Sequence, residues 1–357
     1  MKILKPIFIC FSILCLSIGS FAQDKRTIET KVADLLAQLP ASNSEYTDKL
    51  MANMFAIGEP GLKMICSLII PAGTGDDTRS RFAVESLSRF LSGKGNENEK
   101  ASWEKICIDY AVNQKDNGVK DFFMKQLQLI GSDATVSALK GYLSNKEICG
   151  PALAAIQACG GKAAEAALAE SLKDTSLPCA AAVMNALAGM RSQVAVPEYI
   201  AWASDINANT RASALNALAQ SGNPLAYPVL SKAAKDVEYR WEPTGATSAL
   251  LSYATNAGKS GDLKTMDRIC KVVMSKCRDK LTMQNKARAL KIYAGFHGRD
   301  AAKELLKAAE YPDKTYRDAA FQASLAIPGE EILADWIKYF PGATADAKPE
   351  IIRMLGT

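Results

Sequence analysis

Glycines that close helical stretches recur along this chain at near-regular intervals, and they constrain its fold more than any motif does. Gly58, Gly93, Gly131, Gly160, Gly189, Gly222, Gly258 and Gly295 each follow an apolar, alanine-rich run. Pro328-Gly329 holds the same place in the next unit and Gly356 ends the series, the intervals being 35, 38, 29, 29, 33, 36, 37, 34 and 27 residues. Self-similarity on this scale is the mark of a repeat architecture. The spacing predicts a helix ending at each glycine, followed within a few residues by a second, shorter one. Each glycine is expected in the left-handed position after a helix, where a side chain would clash.

One unit shows the logic. Thr210–Gly222 (TRASALNALAQSG) places Ala214, Leu215 and Leu218 on one stripe, with Asn209 or Thr210 available as the cap. Asn223-Pro224 turns the chain, and Ala226 to Ala234 forms a second helix with Val229, Leu230 and Ala233 expected to face inward. Neither helix can bury its stripe alone, so stacked neighbours must supply the core. Small residues such as Ala180-Ala181-Ala182, and the alanines between Ala163 and Ala169, let helices approach closely.

Over residues 27–357 this pattern resembles HEAT and HEAT-like repeats, most visibly in Asn209–Leu218 (NTRASALNAL), Ala195–Ile200 (AVPEYI) and Tyr316–Ala323 (YRDAAFQA). The resemblance implies an all-α fold, an α-solenoid of about nine helix pairs plus a terminal half-repeat. It also implies a ladder between units, built from an acidic or amide residue before the first helix and an arginine within it. Asn209 with Arg211 and Asp313 with Arg317 match, and Arg288 is placed on the same rung. A narrower likeness, carried by Gly73–Val84 (GTGDDTRSRFAV), is to exported bacterial HEAT proteins that often continue into a 3-keto-disaccharide hydrolase-type domain. No strand-like alternation suggestive of that domain occurs here. The likeness therefore implies at most a setting in carbohydrate degradation.

The first residues read as an export signal. Lys2 and Lys5 precede an apolar stretch from Ile7 to Ile18, and Ser20-Phe21-Ala22 supplies small residues for cleavage before Gln23. That stretch is shorter than the roughly 20 residues a membrane anchor needs, and neither Cys10 nor Cys15 has the setting of a lipid-attachment site. The expected product is periplasmic or secreted, without a membrane anchor. Its organisation reads as a signal peptide over 1–22, N-terminal repeats over 23–115, the main array over 116–346 and an incomplete last repeat over 347–357. That last segment has apolar Ile351, Ile352, Met354 and Leu355 where a capping face should be polar, which suggests either truncation or a docking helix.

The formal charge of +5 falls to +3 once Lys2 and Lys5 are removed, too little to draw nucleic acid. Seven cysteines remain, an odd number without a CxxC pair. Cys149 and Cys159 on one helix would stand about 15 Å apart, beyond the roughly 7 Å reach of a bridge, and Cys270 and Cys277 fail similarly. Cys149 and Cys179, at equivalent places in successive units, are the one sensible pair.

Chemistry-bearing motifs are sparse. Gly258-Lys259-Ser260 lacks the upstream glycine and strand of a phosphate loop. His297 is the only histidine and reads as a turn or capping residue rather than a catalyst. Asp76-Asp77 and Glu330-Glu331 stand where helices begin and complement their positive ends. No cofactor or metal is implied. The exception is a cluster of aromatics, Tyr199, Trp202, Tyr227, Tyr239, Trp241 and Tyr253, in a chain only 7% aromatic. Tyr239 and Trp241 lie in the longest insertion, Asp236–Pro243 (DVEYRWEP). Exposed aromatics anchor protein partners or stack on sugars, whereas buried ones fill space between helices. The sequence therefore reads as an exported, non-catalytic scaffold for a protein partner, with Tyr239, Trp241, Trp202, Tyr199 and Tyr227 as candidate contacts. The alternatives are the non-catalytic part of a glycoside-active enzyme, or a carbohydrate-binding module.

Overall fold

The computed structural model describes residues 26–93 and 95–356, so the expected signal segment 1–22 lies outside the described residues. Contacts divide them into two units. The first holds residues up to Ile69 together with Asp77–Leu87, and the second holds Ile70–Asp76 and everything from Ser88 onward.

The first unit is built from α1 (Ile28–Ala37), α2 (Ser44–Ala56), α3 (Glu59–Ser67) and the first turns of α4 (Thr78–Leu91). Thr27 and Asn43 cap α1 and α2 through side-chain oxygens that accept the N–H of Thr30 and Tyr46. Val32, Leu35, Met51, Met54, Leu62 and Ile65 form the core of this unit.

The second unit begins with the end of α4 and α5 (Glu97–Asn113), joined where the Trp103 indole N–H donates to Ser88 Oγ at 3.0 Å. Helix pairs follow: α6 (Asn117–Ile130) with α7 (Asp133–Leu139), α8 (Cys149–Cys159) with α9 (Gly161–Ser171), and α10 (Ala180–Gly189) with α11 (Val196–Trp202). Then come α12 (Ala208–Ser221) with α13 (Ala226–Asp236), and α14 (Ala246–Lys259) with α15 (Leu263–Lys276). The last are α16 (Met283–His297) with α17 (Ala302–Ala309), α18 (Lys314–Leu325) with α19 (Glu331–Tyr339), and the lone α20 (Ala347–Leu355). First helices pack on first helices, α10 on α12 and α16 on α18, and each second helix packs on the first helix of the next pair, as α13 does on α14. No strand occurs among the described residues. The fold is an all-α solenoid of repeated helix pairs ending in a half-unit.

The recurring glycines do not share one reason, and Gly189 and Gly295, inside α10 and α16, are neither left-handed nor crowded. Gly222 follows α12 at φ 65°, left-handed as expected, and Gly58, Gly160 and Gly329 also have positive φ. Gly131, at φ −66°, does not. A Cβ there would stand 2.5 Å from Leu127 O and 2.7 Å from Cys159 Sγ, so close packing, not backbone freedom, excludes a side chain. Gly258 lies inside α14 for the same reason, its missing Cβ replaced by the Phe296 ring.

The α13 stripe is also displaced from its expected position. Ala226, Leu230 and Ala234 are buried, whereas Val229 and Ala233 are only partly so. Cys149 and Cys179 form a disulfide with Cα atoms 6.3 Å apart, tying the start of α8 to that of α10. Of the apolar residues in α20, Ile351 and Met354 are buried while Ile352 is exposed.

Candidate functional site

The ladder is present with Arg211, Arg317 and Asp313 as expected, but one cap and one cation differ. Asn207, not Asn209 or Thr210, caps α12, accepting the N–H groups of both residues. The fourth residue of this helix, Arg211, donates through Nη1 to the carbonyls of Asp205 (2.6 Å) and Ile206 (2.9 Å). Arg317, fourth in α18, donates likewise to Tyr311 O (3.0 Å) and Pro312 O (2.9 Å), and Asp313 caps that helix as expected. The fourth residue of α16 is Lys286, not Arg288. Its ammonium donates to Met274 O at 2.6 Å and Cys277 O at 3.0 Å, under the rings of Tyr311 and Tyr316. In each case a cation satisfies carbonyls left over after a second helix ends. Burial holds the Lys286 ammonium below the usual lysine range. Arg288 instead reaches Ser248 Oγ and Ser252 Oγ on α14. Only at Arg317 does the rung extend to a carboxylate of the next unit, Glu350 Oε2 at 3.0 Å.

Groups that could do chemistry are committed to structure. His297 is the last residue of α16 and the cap position of the short 3-10 helix Gly298–Ala301, and its Nε2 lies 2.6 Å from Asp267 Oδ1 on α15. Asp267 also pairs with Lys271. The Glu104 carboxylate is buried and accepts the backbone N–H and hydroxyl of both Ser132 and Thr135, closing the start of α7 from α5. Burial pushes the Cys270 thiol up to about 12 and those of Cys159 and Cys277 to about 11, so none of these three is primed as a nucleophile. No group of three or more potential metal ligands occurs among the described residues.

The candidate aromatics separate into filling and display. Tyr199 and Tyr253 are core residues. Trp202 is buried and its indole N–H donates to Leu172 O at 3.0 Å, linking the ends of α9 and α11. Tyr227 is half-buried with the Arg268 guanidinium 4.3 Å from its ring centre. The Tyr239 ring is buried as well. Trp241 is the contrast, 81% exposed.

The loop that presents it is strained and pinned. Glu238 and Tyr239 have φ of 52° and 60°, in a region that disfavours both side chains. On one side Asn285 donates to Tyr239 O at 2.8 Å, and Arg240 lies between Glu238 and Asp279. On the other, the Glu242 carboxylate accepts the N–H of Thr244 and of Ala246, capping α14. Burial raises the pKa of Glu242, but these bonds outweigh it and hold the group below its usual range.

Trp241 does not stand alone. Ile206 before α12 is 97% exposed and Leu281 before α16 is 67% exposed. The three residues occupy the loops between a second helix and the next first helix in successive units. The aromatic pattern singled out Trp241, but Ile206 and Leu281 are single apolar residues in polar loops, and their only signal is a shared position in the repeat.

A stack of antiparallel helix pairs whose first helices share one layer and whose second helices share another defines an α-solenoid. Residues 165–250 of this solenoid match the family described as HEAT repeats. Among solved structures, a mutant of Kap121p is similar to this chain at 13% identity and a TM-score of 0.55, covering 94% of this chain. This chain spans 41% of that one. An engineered protein (16% identity, TM-score 0.41, 92% of this chain and 99% of that one) and human deoxyhypusine hydroxylase in complex with glycerol (17%, 0.26, 63% and 96%) also align. No curated protein matches the sequence. No helix among the described residues is long and apolar enough to cross a membrane.

Proposed function

We propose that this protein is an exported, non-catalytic scaffold that holds a protein partner along the edge formed by Ile206, Trp241 and Leu281. The observation that carries the reading is the exposure of three large apolar side chains on successive inter-repeat loops, with Trp241 just after a left-handed turn at Glu238 and Tyr239. A side chain displayed this way loses little further entropy on binding, and tryptophans so placed dominate interfaces. Export is supported by the signal-like residues 1–22 and by the Cys149–Cys179 disulfide, which suits an oxidising compartment. The setting in glycan breakdown rests on the likeness of the N-terminal third alone.

The test is capture from an exported-protein extract on the protein from residue 23 onward, read by mass spectrometry, beside a Trp241→Ala variant. The expected result is a stoichiometric partner whose affinity falls by about 30-fold or more in the variant, the loss of a hot-spot residue. Identical capture by both proteins would refute the edge as the binding surface. A Trp241 fluorescence response to oligosaccharides with no protein captured would replace it with the carbohydrate-binding reading.

A further inference from the structure

The loop that carries Ile206 also closes one end of a groove between α11 and the segment that follows α9. This groove has a volume of about 360 Å³. Its floor is apolar, made by Leu172, Pro197, Ala201 and an edge of Trp202. The indole cannot swing away, because its N–H is bonded to Leu172 O across the groove. Two carboxylates, Glu198 and Asp205, stand on the wall, both half-buried. Glu198 lies one turn before Ala201 and Trp202 on α11, and Asp205 follows three residues after that helix ends.

The acidic charge of this groove is only partly compensated, by Lys173, on which Glu198 acts, and by Arg211 at the Asp205 carbonyl. Lys173 also lines it, but its ammonium is held by Glu170 Oε2 at 2.6 Å. Glu198 is joined by no hydrogen bond or ion pair among the described residues. Asp205 uses Oδ1 to accept the Asn207 N–H at 2.7 Å, which leaves Oδ2 free to take another donor. Two partly desolvated carboxylates above an apolar floor suit a guest with an aliphatic stem and a cationic head.

We propose that this groove is a slot for a basic side chain, a lysine or arginine, from the protein partner. The methylenes lie across Pro197, Ala201 and the Trp202 edge, and the charged head is shared by Glu198 and Asp205. Because Asp205 and Ile206 are adjacent, one partner segment can place a basic residue in the slot and an apolar residue against Ile206. The inference rests on the reading of that edge as protein-binding and adds the chemistry of the partner: a basic residue beside an apolar one.

The slot is testable without the partner. Nα-acetyl-lysine amide is titrated into the protein while the Trp202 indole N–H resonance, assigned with a Trp202→Phe variant, is followed by NMR. Nα-acetyl-norleucine amide, which has a similar stem and no charge, is the control. The expected result is a saturable shift with lysine, at least about tenfold weaker with norleucine and weakened by about 0.5 M salt. Glu198→Gln removes no bond within the folded chain and should weaken lysine binding at least about threefold, and Glu198→Gln with Asp205→Asn about tenfold or more. Unfolding midpoints equal to the parent's establish that these variants are folded. An equal response to norleucine, or lysine binding unchanged by Glu198→Gln, overturns the proposal. Trp241→Ala should leave the lysine response intact, so failure of the edge in the capture experiment is separable from failure of the slot.

Discussion

The same substitution, glycine to alanine, is expected to have opposite effects at two of the recurring glycines, and this tests the packing account of the repeats directly. At Gly295, inside α16, an added Cβ meets nothing within 4 Å. Alanine there loses less backbone entropy on folding, a gain of about 0.5–1 kcal/mol. At Gly131 the backbone is also one that alanine can adopt, but the Cβ would lie 2.5 Å from Leu127 O, 2.7 Å from Cys159 Sγ and 3.0 Å from Thr135 Oγ1. Leu127 O is backbone and already accepts the Gly131 N–H at 2.8 Å, so it cannot withdraw without losing that bond. Overpacking of this kind costs about 1–3 kcal/mol, offset by about 0.4–1 kcal/mol from the less flexible unfolded chain. Gly131→Ala should therefore lose roughly 1–2 kcal/mol, about 2 kcal/mol apart from Gly295→Ala in the other direction. Urea unfolding followed by circular dichroism gives both values, with comparison of m-values to confirm that the denatured state is unchanged. A Gly131→Ala protein as stable as the parent, or a Gly295→Ala protein less stable, would refute the reasoning.

Further outcomes follow from the same interactions. Replacing Cys149 and Cys179 by serine opens a loop of 30 residues between consecutive repeats and should lower stability by about 3–4 kcal/mol on the chain-entropy account; an unchanged urea midpoint would show that the bridge constrains nothing. Burial raises the pKa of Asp267, but the hydrogen bonds from His297 and Lys271 outweigh it, so its folded pKa lies below the ordinary 3.8. Its contribution is thus present above that value and is lost as pH falls through the depressed folded one. Asp267→Asn should flatten the acid limb of the stability profile below about pH 4 and leave it alone if the pair is inert. Arg317→Met leaves the Tyr311 and Pro312 carbonyls without their donor and Glu350 with only the longer Lys314 contact at 3.7 Å, and should cost about 3 kcal/mol, with amide exchange rising first in α20. Glu238→Gly relieves a left-handed residue and should raise stability by up to about 1 kcal/mol, while partner capture weakens because the Trp241 loop is less fixed.

The repeat architecture was legible because it is written in composition: alanine-rich stripes, terminating glycines and the paired positions of Cys149 and Cys179. Helix boundaries were less so, and the ladder depends on them. Arg288 fitted a search for arginine in the first helix. The rung is instead defined by the fourth position, which Lys286 occupies because α16 begins at Met283. A glycine required by its own φ and one required by a neighbour's bulk look alike in sequence, so Gly131 and Gly258 were misread in mechanism though correctly placed as landmarks. Tyr199, Trp202 and Tyr239 could not be sorted from Trp241 by type, since burial is decided by neighbours 30 or more residues away. The exposure of Ile206 and Leu281 left no compositional trace at all.

The Trp241 loop follows from the way its repeat departs from the others. Where α12 and α18 are capped by the residue immediately before them, α14 begins after a longer connection and is capped by Glu242, four residues before its start. With no arginine at its fourth position, which is Ala249, it lacks the cation that binds the preceding carbonyls in the neighbouring units. Those carbonyls must find other donors, and Asn285 of the following unit supplies one to Tyr239 O. Burying the Tyr239 ring in that geometry requires the left-handed turn at Glu238 and Tyr239, and the turn in turn directs the next side chains outward. The absence of a cation at the fourth position is shared with α10, where Val183 stands there, so it is the longer connection, pinned by Asn285 and Glu242, that sets the Trp241 unit apart. Regular repeats build the stack, and the irregular one supplies its most distinctive surface.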